Sequence, residues 1–166
     1  GEITFAIASP LAYFFPRVWI FSYLRWVLLT SISKTRLRLR LPKRADVLAC
    51  EAIELAQVYP DDWNVGNAIH QGNTVRGLVA LRRNDVAAAK AFLLASGKTL
   101  GSPQLESFGP SMKLADALLR VDEKDAVLDY FNICAVFWDR EFSQLDRWAR
   151  EIRQGKQPNF GPNLLY

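Results

Sequence analysis

The chain has a single histidine, His70, and two cysteines, Cys50 and Cys134. These are the side chains best suited to nucleophilic or acid–base work, so their surroundings decide whether catalysis is expected. A Ser-His-Asp or Cys-His device needs a nucleophile beside the imidazole and a local signature around it. His70 falls in the middle of a helical pattern with neither, which favours a surface or groove histidine. Zinc and redox sites need closely spaced ligands. Cys50 and Cys134 stand 84 positions apart with no CxxC companion, so buried reduced thiols are expected, with a disulfide between them left open. Asp61-Asp62 reads as a helix-capping turn. Glu51 and Glu54 read as a solvated face. Ser102, Ser107 and Ser111 lie in the loop that carries Gly101 and Gly109, where capping is a commoner use than phosphate binding. No Walker loop and no GxGxxG occurs. No enzyme, cofactor, metal or small-molecule substrate is expected.

The elements carrying these residues fall into two unlike parts. Residues 3–32 are strongly apolar, interrupted by Arg17 and Arg25 and by Pro10 and Pro16. Residues 34–44 hold Lys34, Arg36, Arg38, Arg40, Lys43 and Arg44 and no acid. A bilayer-spanning helix needs about 20 apolar residues, and each central arginine costs about 2.5–3.5 kcal/mol on the insertion scale. A helix lying in the membrane interface from about Pro16 to Ser31, with its arginines snorkelling, is a second reading. Packing on the rest of the protein or on a partner chain is a third. Membrane contact is the favoured expectation, with Phe14, Phe15, Trp19, Phe21 and Trp26 as anchors. Arg36, Arg38, Arg40, Lys43 and Arg44 would then meet lipid headgroups, and the positive-inside rule puts the following domain on the cytoplasmic side. Two other uses of the basic run stay open. Arg36, Arg38 and Arg40 alternate with Leu37, Leu39 and Leu41, the period of a half-buried strand. Nucleic acid would also attract such a run, although no stacking aromatics or nucleic-acid fold follow it.

From Ala45 the pattern is helical. Helices are expected over Ala45–Tyr59, Trp63–Arg83, Val86–Ser96, Ser111–Val121 and Asp125–Trp138, and from Ser143, which Asp146 would help to cap, to just before Gly155. Val47, Leu48, Ala52, Ile53, Leu55, Ala56 and Val58 form the apolar set of the first. Gly97 fits a left-handed helix cap. The expected organisation is an apolar segment over 1–33, a basic linker over 34–44, a helical domain over 45–155 and an extended tail over 156–166. The net charge of +4 and a half-hydrophobic composition suit one folded domain rather than disorder.

Two helix pairs match at an offset of 38 residues: Gly77, Ala80, Asn84, Ala89 and Leu93 against Ala115, Leu118, Asp122, Val127 and Phe131. In this order of small, turn, small and large residues the chain resembles the tetratricopeptide repeat family. The stretch from Trp63 to Tyr166 is similar to bacterial tetratricopeptide-like proteins with a GSPQL…FGP loop. The consensus tryptophan and tyrosine are replaced by Asn73 and Ala80. The resemblance implies an all-α stack of antiparallel helix pairs, an α-solenoid, preceded here by a hydrophobic helix. It also implies a concave surface that binds peptides or partner helices, lined here by Asn67, His70, Asn73, Thr74, Arg76, Lys113 and Asp116. The expected function is a non-catalytic interaction module: a membrane-anchored accessory or scaffolding subunit that meets other subunits through this groove and its N-terminal segment. A soluble adaptor and a nucleic-acid binder are the alternatives.

Overall fold

A computed structural model describes residues 16–138 and 144–165, with side chains from Tyr23 onward. The described residues form helices and turns without strands. The elements are α1 (Pro16–Arg38), α2 (Pro42–Val58), α3 (Val65–Arg82), α4 (Val86–Gly97), α5 (Pro103–Phe108), α6 (Lys113–Leu119), α7 (Lys124–Cys134), α8 (Gln144–Arg153) and a 3-10 turn, η1 (Gly161–Leu164).

The turns explain the order of packing. Arg40, Asn84 and Asp122 each adopt the left-handed conformation, at φ 58, 59 and 63°. At each, the residue's own N–H donates to the carbonyl three back, and the next N–H donates to the carbonyl five back: Arg40 to Leu37 and Leu41 to Arg36, Asn84 to Leu81 and Asp85 to Ala80, Asp122 to Leu119 and Glu123 to Leu118. This is the Schellman closure of a helix. It reverses the chain between α1 and α2, between α3 and α4, and between α6 and α7. Asn and Asp tolerate this conformation well. The 38-residue offset read from the sequence therefore recurs atom for atom in the last two turns, and Ala89, Val127, Leu93 and Phe131 are all buried at matching places.

Helices α1 to α4 pack in sequence, as do α6 to α8; α5 touches α3, and α1 also touches α3, α3 touches α6, and α4 touches both α6 and α7. Close approach depends on small residues. Ala45, Ala49, Ala52 and Ala56 form a buried stripe along α2. A side chain at Gly72 would strike Ile53 of α2, and one at Gly77 would strike Leu114 of α6. The larger core lies between α4, α6, α7 and α8, around Tyr130, Phe131, Trp148 and Phe160.

Several expectations are corrected. The Arg–Leu alternation is helical: α1 runs unbroken through the start of the basic run and buries Trp26, Leu29, Ser33 and Leu37, a spacing of three to four. In α2 the alanines face inward, while Val47 and Val58 are about two-thirds exposed. Gly97 has an ordinary φ; it is small because a Cβ there would lie 3.0–3.3 Å from Ile133 and Tyr130. The loop before α6 contains α5, capped by the Ser102 hydroxyl accepting from the Leu105 N–H at 3.1 Å. The tail folds back, burying Phe160 and Asn163. The cap expected at Ser143 lies outside the described residues.

Candidate functional site

Helix α3 is unusually polar for a central helix. Its buried residues include Asn67, His70, Gln71, Asn73 and Thr74, with Asn64 just before it. Most of these find partners. His70 is fully buried. Its Nδ1 lies 3.1 Å from the Ser96 carbonyl, and its Nε2 accepts the Ser111 N–H at 2.9 Å. A carbonyl can only accept, so the ring carries its proton on Nδ1 and is neutral. Burial pushes the imidazole down to about 4, with the nearby positive charge of Lys34 acting in the same direction. Thr74 and Asn73 donate back to the His70 and Ile69 carbonyls, both at 2.8 Å. Asn67 donates to Gln104 Oε1 at 2.7 Å and accepts from the Ser102 hydroxyl at 2.8 Å, tying α5 to α3. A side chain at Gly66 would run into the Gly101 carbonyl, so this face of α3 meets the loop directly.

Two buried atoms find no partner: Asn64 Nδ2 and Gln71 Oε1. Asn64 is 4% exposed and Gln71 9%. Both line a groove of about 510 Å³ between α1, the start of α3, and α5. Burying an unpaired amide group costs about 1–3 kcal/mol, so these atoms mark a place where polar partners are wanted. Val27, Leu28, Leu105, Phe108 and Trp63 supply an apolar wall. Leu28, Trp63 and Phe108 are half or more exposed. Lys34 lines the groove from α1. Burial depresses its ammonium, as does the charge of Arg38; burial also depresses Lys113, along with the charges of Arg38 and Lys34. The three cations therefore feel one another's charge.

The groove residues implied by the family resemblance scatter. Asn67 lines the groove. His70, Asn73 and Thr74 are interior, because the loop before α6 and the end of α4 cover that side of α3. Arg76 instead lies between α2 and α4, 3.4 Å from Asp46 and stacked 4.5 Å over the Phe92 ring. Lys113 joins the cation cluster. Asp116 pairs with Arg120 at 2.9 Å and accepts from Gln157 at 2.9 Å. Asn64, Gln71, Trp63 and Phe108 were not singled out for the groove. The spacing Asn64, Asn67, Gln71, Thr74, at intervals of three and four, was the available signal for a polar stripe.

Of the expected membrane anchors, Trp26 is buried. Its indole donates to the Ala52 carbonyl at 3.1 Å and its ring packs 5.2 Å from Tyr59. It therefore closes the α1–α2 interface rather than facing outward. Phe14, Phe15 and the side chains of Trp19 and Phe21 lie outside the described residues. Among the described residues, no helix is long and apolar enough to cross a membrane. Arg38, Arg40, Lys43 and Arg44 are exposed around the α1–α2 turn, with Arg36 half-buried. Glu51 is not simply solvated but pairs bidentately with Arg25. Asp62 accepts from the Asn64 N–H at 2.8 Å and from the Tyr23 hydroxyl at 2.8 Å. Both thiols are free. Cys50 is half-buried, while burial pushes the Cys134 thiol up to about 12. Comparison with protein-family models, curated proteins and solved structures finds no match to this chain.

Proposed function

We propose that this protein is an interaction module of stacked helix pairs, tetratricopeptide-like in arrangement, and that its groove holds an extended segment of a partner protein. The observation that carries the reading is the pair of buried, unpartnered amide atoms, Asn64 Nδ2 and Gln71 Oε1, on two residues that line one open groove. Seven helical positions separate the two residues, about 10 Å along the axis. One planar amide cannot meet both, whereas about three residues of extended chain cover that length. Once the two side chains turn outward, such a segment offers a carbonyl for the Asn64 donor and an N–H for the Gln71 acceptor. The apolar wall takes a hydrophobic side chain, and Lys34, with Arg38 and Lys113 behind it, takes a carboxylate. The groove's volume falls in the range of ordinary ligand sites.

The pattern of packing supports the solenoid part of the reading. Besides chain neighbours, first helices touch first helices (α1 with α3, α3 with α6), the second helix α4 touches the second helix α7, and α4 also touches α6. This is the nearest-neighbour stacking of a repeat protein. His70, held at both ring nitrogens, supports a non-catalytic role, because a general base needs a free lone pair aimed at substrate. The module would serve as an accessory subunit, contributing the groove to a larger assembly.

The test is selection of a random peptide library on the full chain, followed by calorimetry of enriched peptides. We expect a shared pattern of one hydrophobic and one acidic residue two to four positions apart. Asn64→Leu with Gln71→Met should weaken binding at least tenfold. Enriched peptides that lack the pattern, or that bind this double variant as well as the parent, would defeat the proposal.

A further inference from the structure

The α1–α2 turn lies outside the groove and carries a different chemistry. Residues 3–45 contain no Asp or Glu. Of their eight cations, Arg40, Lys43 and Arg44 are exposed at the turn and at the start of α2, beside half-buried Arg36. The first carboxylate after this stretch, Asp46, is already engaged by Arg76 at 3.4 Å and Arg83 at 3.8 Å. The Arg82 guanidinium donates to the Leu37 carbonyl at 2.9 Å, adding a further positive group to the end of α1. Large apolar side chains stand among these charges. Leu39 is 62% exposed, Val47 66% and Leu41 37%. Arg36, Lys43, Arg44, Val47 and Leu48 together form a shallow hollow.

The turn is closed by main-chain hydrogen bonds and anchored by buried Leu37, while Leu39 and Val47 stand about two-thirds exposed beside it. We infer that the turn is a docking surface for an anionic lipid bilayer: Arg40, Lys43 and Arg44 meet headgroup phosphates while Leu39, Leu41 and Val47 enter the interface. Charge complementarity selects an anionic partner. The exposed aliphatic side chains select a bilayer over nucleic acid, since a phosphodiester backbone rewards the cations but not the leucines. The inference is independent of the peptide groove. It assigns membrane contact to the folded helix pair, whatever residues 1–22 contribute.

The experiment is sedimentation of the full chain with vesicles of phosphatidylcholine alone and of phosphatidylcholine with phosphatidylglycerol. Two variants are compared with the parent: Leu39→Ser with Leu41→Ser and Val47→Ser, and Arg40→Gln with Lys43→Gln and Arg44→Gln. Thermal melting confirms that each is folded. Each lost charge should weaken binding to the anionic vesicles about fivefold, so the charge variant should lose about a hundredfold. The aliphatic variant should lose about tenfold or more, with binding to a DNA duplex unchanged. Parent-like binding by either variant would overturn the inference. So would equal binding of the parent to neutral and anionic vesicles, or a loss of duplex binding in the aliphatic variant that matches its loss of vesicle binding.

Discussion

Two polar regions of one helix behave in opposite ways. On one side of α3, His70 is completely enclosed and has a main-chain partner at each ring nitrogen. On the other, Asn64 and Gln71 are almost as deeply buried, yet each keeps one atom unpaired. A buried polar group with all its bonds made fixes a structure. One left open costs stability and is retained where something else completes it. His70 therefore reads as a brace joining α3, the end of α4 and the loop before α6, while Asn64 and Gln71 read as half of a contact.

The contrast can be broken most forcefully at His70. His70→Ala removes both bonds, strands the Ser111 N–H and the Ser96 carbonyl, and leaves a cavity; we expect a loss of about 3–5 kcal/mol in urea unfolding. A loss below about 1 kcal/mol would mean the imidazole is not a brace. The next effect is pH dependence. The folded-state value of about 4 lies below the usual 6.5, so the unfolded chain binds the extra proton first. The stabilisation is complete above about pH 6.5 and declines as pH falls toward 4, by on the order of 3 kcal/mol. In His70→Gln that part of the slope should disappear; a variant curve parallel to the parent's would assign the slope to other groups.

Asn163 offers a smaller effect. Its amide donates to the Phe108 and Pro110 carbonyls at 3.1 and 3.0 Å. Asn163→Ala should cost about 1–3 kcal/mol; an unchanged unfolding midpoint would remove the tail from the fold's support. The smallest effect should be at the open side of α3. Asn64→Leu with Gln71→Met is expected to change stability by no more than about 1 kcal/mol, and to raise it if anything. Strong destabilisation would show that these amides already have a structural role.

The helices were readable because apolar spacing and turn residues agree. Asn84 and Asp122 marked their turns correctly, and the 38-residue match extends to identical hydrogen bonds. The basic run misled because strict alternation of Arg and Leu satisfies a strand period locally, while burial follows Trp26, Leu29, Ser33 and Leu37 at helical spacing. Helix α5 had a signal that went unused, Ser102 followed by Pro103, a capping residue and a first-turn proline. The burial of His70 had none, because its partners are main-chain groups 26 and 41 positions away. The groove was misplaced for the same reason: which polar face stays open depends on where the loop over 99–112 settles.

That loop is gripped from two directions. His70 holds Ser111 from the interior, and the tail holds Phe108, Pro110 and Met112 from outside, the Met112 N–H donating to the Asn163 carbonyl at 2.9 Å. Phe108 and Gly109 are also groove wall. Residues 157–165 thus act at a distance on a site they do not line. A protease cutting after Gln157 would release one grip and leave the other, so the groove would slacken while the core stayed closed. Limited digestion would then act as a dial on partner affinity, set by a segment remote from the partner.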